Sequence, residues 1–200
     1  MKKVIVFIFI VFISCSRQQK IVGIQPYNHF PIEKADTVAK IIKDFYKVET
    51  VILPDKSHDE TTFVNIKTPR YRADKIIRLQ KQQKPDGLDY ILGLTEKDIS
   101  TTKKENGKVK QPASKYEDWG IMGLAYVPGK SCVISTFRIK HTNPKIHFSR
   151  LKKITVHEFG HNLGLPHCPD KKCVMTDAVE SVATIDNANL ELCKLCKAKI

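Results

Sequence analysis

The chain has 200 residues and carries 34 lysine and arginine residues against 21 aspartate and glutamate residues, a formal net charge of +13. Apolar residues make up 42% of the chain, which is enough for a hydrophobic core and too many for a disordered protein. The length predicts one compact domain, and we expect a monomer. The basic residues are spread along the chain without the interleaved aromatic residues of RNA-binding sheets, so we expect no nucleic-acid partner.

The first fifteen residues predict an export signal that is not part of the fold. Lys2 and Lys3 precede an unbroken apolar run of ten residues from Val4 to Ile13, whereas a membrane-spanning helix needs about 20. The run ends at Ser14-Cys15, which resembles a bacterial lipobox. Residues 1–15 therefore predict a signal peptide with Cys15 as a lipidation site. We expect an exported lipoprotein held at the cell-envelope membrane by that lipid; plain secretion and an uncleaved anchor are the alternatives.

Apolar patterns in the first half of the chain predict alternating strands and helices. The strands are expected at residues 21–25, 51–53 and 90–94, and the helices at residues 31–48 and 74–84. The order βαβαβ predicts a mostly parallel sheet that is covered by helices.

The middle of the chain is predicted as a loop followed by a hairpin. Residues 96–118 are polar and predict a long, mobile loop. The apolar runs at residues 121–127 and 132–137 are separated by Pro128-Gly129 and predict a hairpin. An antiparallel hairpin beside parallel strands would make the sheet mixed.

A candidate metal site lies in a predicted helix over residues 149–164, which Ser149 would cap. Residues four apart lie on one face of a helix, so His157 and His161 can direct both imidazoles at one zinc ion. Gly164 can end the helix in the left-handed conformation, after which His167 can return as a third ligand. The alternative is an amphipathic helix with incidental histidines.

The spacing of these residues resembles that of a known enzyme clan. The string His157-Glu158-x-x-His161-x-x-Gly164-x-x-His167 is typical of the metzincin metallopeptidases. The segment that follows resembles the archaemetzincin family, with Cys168, Cys173, Met175, Cys193 and Cys196 at matching spacings. Three upstream stretches resemble the same family: Arg70-Tyr71-x-Ala73, Leu92-Gly93-Leu94-Thr95-x-x-Asp98 and Trp119-Gly120.

The resemblance implies an α/β (α+β) fold with a metzincin-like mixed, twisted sheet of five strands, flanking helices and a zinc-binding active-site helix. It also implies one catalytic domain over residues 20–200. An upper subdomain would span residues 20–164 and include the zinc helix, and a small lower subdomain with a structural zinc would span residues 165–200.

The resemblance implies roles for individual residues as well. His157, His161 and His167 would bind the catalytic zinc, and Glu158 would be the general base that activates a zinc-bound water. Met175 would form a turn beneath the metal, although an ordinary core methionine would look much the same. An edge strand, assigned by position to Leu124-Ala125-Tyr126-Val127, would pair with an extended peptide; alternatively, this strand is merely part of the sheet.

Four of the cysteines have two interpretations. Cys168, Cys173, Cys193 and Cys196 can form a closed tetrahedral zinc site, which would tie the turn after His167 to a predicted helix over residues 188–199. In an exported chain they could instead form two disulfides. We favour the structural zinc, which the resemblance also implies.

Together these features predict a zinc metallopeptidase with two Zn²⁺ ions, one catalytic and one structural, that acts on a peptide or protein substrate. The alternative is a zinc-binding protein of the same fold that binds peptides or partners with little or no turnover.

Overall fold

The structure is a computed structural model that describes residues 19–177 and 181–200. Cys15 and the rest of the predicted export signal lie outside these ranges. Within them, no helix combines the length and the apolar character that crossing a bilayer requires. The α-helices are α1 (Ile32–Tyr46), α2 (Ala73–Gln82), α3 (Ala113–Tyr116), α4 (Pro144–Asn162), α5 (Val182–Asn187) and α6 (Lys194–Lys197). The strands are β1 (Ile21–Pro26), β2 (Glu49–Ile52), β3 (Phe63–Asn65), β4 (Pro69–Arg72), β5 (Tyr90–Thr95), β6 (Ile99–Thr101), β7 (Lys104–Glu105), β8 (Lys108–Val109), β9 (Trp119–Ile121), β10 (Gly123–Ala125) and β11 (Ser131–Ser135).

The main sheet has five strands in the order β10-β11-β5-β1-β2. Strands β2, β1, β5 and β11 run parallel, and β10 pairs antiparallel with β11 at one edge. The predicted mixed sheet of five strands and the predicted hairpin are therefore confirmed.

Helices cover both faces of this sheet. On one face, Val38 and Ile42 of α1 and Leu151 and Phe159 of α4 join the largest buried cluster. On the other face, the buried residues of α2 pack against β11. Because β5 and β11 lie in the middle of this sandwich, nearly every side chain of both strands is buried, as expected for apolar central strands.

The predicted loop over residues 96–118 is wrong. Strand β6 lies inside this stretch and pairs with both β4 and β9, forming a second sheet in the order β3-β4-β6-β9. The hairpin β7–β8 and the helix α3 also lie in it. Polar strands of two or three residues give no apolar periodicity. Their stability comes from partners that are distant in the chain, which a local pattern does not reveal.

The helix that carries the predicted metal ligands begins earlier than predicted. It starts at Pro144, and Asn143 caps it with a side-chain oxygen that accepts a hydrogen bond from the N–H of Lys145 at 2.9 Å. Ser149 is therefore inside the helix, which makes the predicted cap wrong. A proline at the first helical position lacks only an N–H that would have no partner within the helix, so it favours this start.

The predicted helix over residues 188–199 is also wrong. Helix α5 ends at Asn187 and α6 spans only Lys194–Lys197. Between them the backbone bonds across to another segment: Asn189 donates to Lys172 O at 2.8 Å, and Val174 donates to Glu191 O at 2.9 Å. These bonds replace helical ones and bring Leu192 into a second, smaller core with Val156, Leu165, Val174 and Met175.

Candidate metal centre and cleft

Helix α4 and the turn after it bring three histidines together. His157 and His161 lie one turn apart, and Gly164 takes a φ of +95°, which lets the chain turn back to His167. The ring centroids are 4.6 Å apart for His157 and His161, 5.3 Å for His157 and His167, and 4.8 Å for His161 and His167. One nitrogen from each ring lies within 4.8 Å of the others, so the three residues can hold one metal ion.

Backbone carbonyls fix the orientation of two of these rings. His157 Nδ1 lies 2.9 Å from Val174 O, and His161 Nδ1 lies 2.7 Å from Leu165 O. A carbonyl oxygen only accepts hydrogen bonds, so each Nδ1 carries the proton and each Nε2 presents a lone pair. The two Nε2 atoms face each other at 3.1 Å. Two lone pairs at this distance repel unless a cation lies between them.

This geometry fits zinc. Nitrogen ligands about 2.0–2.1 Å from a tetrahedral zinc lie roughly 3.3–3.4 Å apart, close to the spacing of these Nε2 atoms. Burial, and next the neighbouring His161, lowers the pKa of His157 to about 3. Burial also lowers the pKa of His161. Both imidazoles are therefore neutral at physiological pH, which is the form that binds a metal.

His167 is the most open of the three histidines. Its side chain is 43% exposed, and its Nδ1 lies 3.7 Å from Asp177 Oδ2. The metal site would therefore be closed by α4 on one side and open to solvent on the side of His167.

Glu158 lies beside the histidines and is buried. A Cβ atom built on Gly123 of β10 would lie 2.6 Å from both Cγ and Oε1 of Glu158, so the carboxylate occupies the space beneath the edge strand. Burial raises the pKa of Glu158 to about 8. The carboxylate is thus a stronger base than an exposed glutamate.

A cavity of about 540 Å³ lies between β10 and α4 and contains the three histidines and Glu158. Most of its other walls are apolar. The apolar and aromatic lining residues are Trp119, Ile121, Met122, Leu124, Ala125, Val127, Ile154, Pro166, Val174, Ile185 and Ala188. Such a cleft can bind an extended peptide with apolar side chains.

The predicted edge strand is only partly at the cleft. Leu124 and Ala125 belong to β10 and line the cavity, as does Val127 just beyond it. Tyr126 instead packs with the α2 side of the sheet, where Lys81 Nζ lies 5.8 Å from its ring centroid.

Met175 lies beneath α4. A Cβ atom on Gly160 would lie 2.6 Å from Met175 Sδ and 2.9 Å from the hydroxyl of Tyr46, so the helix is in close contact with both residues between its two histidines. Tyr46 donates a hydrogen bond to Val156 O at 2.7 Å. Met175 is fully buried in the smaller core, which fits both a floor under the imidazoles and an ordinary core methionine.

The four C-terminal cysteines converge within this smaller core. Their sulfurs lie within 4.8 Å of one another, and Cys168 Sγ is 3.7 Å from Cys193 Sγ. Sulfurs about 2.3 Å from a tetrahedral zinc would lie roughly 3.8 Å apart, whereas bonded sulfurs are about 2.05 Å apart. Within the described ranges all five cysteines are free thiols. A hydrogen bond from the Cys196 N–H lowers the pKa of the Cys193 thiol, whereas burial raises the pKa of the Cys168 and Cys196 thiols.

One wall of the cleft could not be predicted from the sequence. Ile185 on α5 lines the cavity, and α5 is secured to α4 by an ion pair between Arg150 and Asp186 at 2.6 Å. Lys153 adds hydrogen bonds to the carbonyls of Ile185 and Asp186 at 2.9 and 3.1 Å. The opposite charges at positions 150 and 186 are far apart in the chain, so only the fold identifies them as partners.

Three comparisons place the chain among known proteins. A family model described as peptidase family M54 matches residues 18–200. The archaemetzincin of Haloquadratum walsbyi is 28% identical over 185 residues, covering 88% of this chain and 96% of that protein. The archaemetzincin of Methanopyrus kandleri is 32% identical over 108 residues, covering 54% of this chain and 53% of that protein. The crystal structure of the Archaeoglobus fulgidus archaemetzincin complexed with malonate superposes with a TM-score of 0.72 at 25% identity, covering 90% of this chain and 99% of that one.

These comparisons correct the predicted location. The similar curated proteins are archaemetzincins of archaea, and the family match begins after the segment on which the prediction of an exported, membrane-anchored lipoprotein rested. By this finding the prediction is wrong. It depended on a short apolar run and a small residue before Cys15. A short apolar run of this kind identifies an export signal far less specifically than ligands at fixed spacing identify a metal site.

Proposed function

The chain belongs to peptidase family M54, the archaemetzincin family of zinc metallopeptidases, and from this premise we propose that His157, His161 and His167 hold its catalytic zinc. When bound, zinc supplies a Lewis acid that polarises the scissile carbonyl and makes a water molecule more acidic. The observation that carries the proposal is the pair of Nε2 atoms at 3.1 Å, each held as a lone-pair donor by a carbonyl on Nδ1.

Glu158 would move the proton during hydrolysis. It follows the first histidine directly, so it lies beside the ligands on the helix and not between them. We propose that its carboxylate takes a proton from the water whose oxygen attacks the scissile carbonyl carbon. As the C–N bond breaks, Glu158 would pass that proton to the leaving amine nitrogen. Its burial beneath Gly123 supports this role, because the carboxylate is held in one place at the cleft.

The substrate would be an extended peptide that adds to the sheet at β10. Met122 O and Tyr126 N bond to β11, so alternation along the strand leaves the N–H and C=O of Gly123 and Ala125 pointing outward. Tyr126 O accepts a hydrogen bond from Asn162 at 3.0 Å, so this carbonyl already has a partner and would not bind the peptide. We propose antiparallel addition, which places the residues after the scissile bond towards Met122 and Trp119.

The four cysteines would hold a second, structural zinc. Its support is the sulfur spacing, which matches tetrahedral coordination, and the position of the cluster between the turn after His167 and the C-terminal segment. In this proposal, residues 165–200 form a lower subdomain whose metal keeps the third histidine in place.

Metal removal and replacement test the proposal. Zinc-loaded protein should cleave a quenched fluorescent peptide, lose that activity when a chelator removes the histidine-bound zinc, and regain it when about one equivalent of zinc is added back. His161→Gln should lower zinc content by one ion per chain and abolish cleavage. Cleavage that persists in fully demetallated protein would contradict the assignment.

A further inference from the structure

Beside the catalytic cleft lies a second cavity, of about 510 Å³, whose charged lining residues are mostly basic. We propose that this basic cavity is a binding subsite for a carboxylate of the peptide, on the C-terminal side of the bond that is cut. The proposal rests on the peptidase function above and names a chemical preference of its cleft.

Three stretches without an assigned role meet at this cavity. Arg70, Asp98 and Trp119-Gly120 each belong to one of the upstream segments noted in the sequence. In the fold, Arg70 lies on β4, Asp98 immediately before β6, and Trp119-Gly120 on β9. The second sheet therefore brings together residues that are up to 50 positions apart in the chain.

Two buried carboxylates hold the arginines of this cavity. Asp98 accepts two hydrogen bonds from Arg138 at 2.7 Å and one from Arg70 at 2.9 Å. Asp118 accepts a further bond from Arg70 at 2.9 Å. Both aspartates are almost completely buried. The guanidinium groups are thus fixed before any ligand binds.

Arg138 is the arginine best placed to bind a ligand. Its side chain is 32% exposed, against 12% for Arg70. Its bonds to described residues use Nε and Nη2 and none of them uses Nη1, and the side chain lines the cavity. A guanidinium group binds a carboxylate through charge-assisted hydrogen bonds.

Gly120 makes room for that guanidinium. A Cβ atom on Gly120 would lie 2.0 Å from Arg138 Nη2 and 2.2 Å from its Cζ. Any side chain at this position would displace Arg138, so the guanidinium lies directly against the backbone of β9.

The charges of the cavity leave an excess of positive charge. Lys67, Arg70, Lys115 and Arg138 line it with Asp118, and Asp98 lies behind the arginines. Four positive side chains against two carboxylates leave two positive charges. The lysines lie at the rim, where Lys67 donates to Lys115 O at 2.9 Å. An incoming anion would therefore meet a field of the opposite sign.

Both walls of the cavity continue from the catalytic cleft. Trp119 and Met122 line both cavities. On the opposite wall, Ile185 of α5 lines the cleft, and Ser181 and Val182 at the start of the same helix line the basic cavity. A peptide that leaves the cleft along β10 towards β9 would therefore enter the basic cavity.

The distance corresponds to a few residues of substrate. Gly123 lies over Glu158, and Gly120, against Arg138, is three positions earlier in the chain. At about 3.3 Å per residue an extended chain would cover at most roughly 10 Å in that interval, and the bend at Met122 between β9 and β10 shortens it. The carboxylate would thus belong to the second to fourth residue after the cut, as a side chain or as the peptide's C-terminus.

A purely structural role explains this network less well. Burying two carboxylates with two guanidiniums costs much of the energy that their attraction supplies, and apolar residues often stabilise a core as well. What the network adds is a rigid cationic surface, open to a cavity that continues into the catalytic cleft.

Cleavage of matched peptides tests the subsite. With zinc-loaded protein, kcat/KM is measured for amidated peptides that differ only by Glu or Gln at each of the four positions after the cut. The same comparison is made for peptides with a free or amidated C-terminus, which separates the two sources of the carboxylate. We expect one of these carboxylates to raise kcat/KM about tenfold at low salt and less at high salt.

Three variants assign the effect to the cavity. The preference ratio is kcat/KM for the carboxylate peptide divided by kcat/KM for its neutral partner. Arg138→Gln should reduce this ratio to about one. Lys115→Gln is an exposed change that leaves the buried network intact, and it should reduce the ratio about twofold. Lys40→Gln on the exposed side of α1 makes the same change in charge and should leave the ratio as in the wild type. A ratio of one in the wild-type protein at every position, or a ratio that neither cavity variant lowers, would overturn the proposal.

A binding measurement separates this inference from the peptidase function. Trp119 is the only tryptophan of the chain and lines both cavities, so its fluorescence reports on a ligand there. In zinc-loaded Glu158→Gln protein, the preferred carboxylate peptide should bind about tenfold more tightly than its neutral partner. If zinc-loaded wild-type protein cleaves none of the peptides but the variant still binds the carboxylate peptide more tightly, the peptidase proposal fails and the subsite stands. Equal binding of both peptides would refute the subsite.

Discussion

At Gly123 the edge strand has no side chain, and the carboxylate of Glu158 occupies the space. A methyl group there would lie 2.6 Å from Cγ and Oε1 of Glu158, so that side chain would have to move. The φ angle of Gly123 is not in the left-handed region, which means that the glycine is needed for space and not for its backbone conformation.

Gly123→Ala should therefore lower kcat about 100-fold, because displacement of a catalytic group by about 1 Å costs rate on this order. Zinc content and Tm should stay close to those of the wild type, since the ligands and the core are unchanged. Steady-state kinetics with metal analysis on one preparation checks this. Wild-type kcat in the alanine variant would show that Glu158 has more room than the structure gives it.

The candidate ligands could be predicted at the residue scale because their geometry is local. A spacing of four residues on a helix determines which side chains meet, and Gly164 marks where the chain turns. Gly123, Val174 and Ile185 could not be predicted, because they reach the site from elements whose approach depends on the whole fold.

At the scale of elements, one histidine joins the two sheets. His58 stacks on Tyr27, which follows β1, with ring centroids 4.5 Å apart, and packs against Tyr71 of β4 at the same distance with the rings tilted by 30°. Its Nε2 lies 2.9 Å from Thr95 Oγ1 on β5. Burial, and next the charge of Lys97, lowers the pKa of His58 to about 4.

This pKa makes stability depend on pH. Above pH 6.5, His58 is neutral in both the folded and the unfolded chain and has no effect. Between pH 6.5 and about 4, only the unfolded chain takes up the proton, so the free energy of unfolding falls as pH falls. From pH 7 to pH 5 the expected loss is about 2 kcal/mol, since one unit of pKa is worth about 1.4 kcal/mol.

Urea unfolding of the wild type and His58→Gln at both pH values measures this loss. The glutamine does not titrate, so the variant should lose about 2 kcal/mol less than the wild type between pH 7 and pH 5. Taking the difference removes the contribution of the other histidines, which both proteins share. An equal loss in the two proteins would rule out His58 as the source.

The elements themselves differed in how well they could be predicted. The strands of the main sheet and helices α1 and α2 have apolar periodicity over several residues, and each lies within a few positions of its predicted range. The second sheet was missed because β6 and β9 have three residues each and are stabilised by partners elsewhere in the chain. The C-terminal helix was predicted too long because bonds from residues 189 and 191 to the segment around Val174 replace helical ones.

At the scale of the whole molecule, the cysteine cluster joins the two ends of the C-terminal segment. Cys168 and Cys173 flank the turn that leads from His167 to Met175, and Cys193 and Cys196 lie at the end of the chain. Few buried apolar residues hold this part together, so a metal would contribute much of its stability.

Cys193→Ser should therefore lower zinc content from two ions per chain to one and lower Tm in the same preparation. Cys132→Ala removes a buried thiol outside the cluster and is the matched control; it should keep two zinc ions. Elemental analysis with thermal unfolding checks both variants. Two zinc ions in Cys193→Ser protein would exclude the structural site.

We propose that Glu158 carries the proton in zinc-dependent peptide hydrolysis, and cleavage of a mixed peptide library measures whether hydrolysis depends on it. Zinc-loaded wild-type protein and Glu158→Gln are incubated with the library, and the products are identified by mass spectrometry after zinc content is matched. Cuts should be found with the wild type and be absent, or at least 1000-fold slower, with the variant. Equal cleavage by both proteins, or no cleavage by wild-type protein with its zinc in place, would contradict the claim.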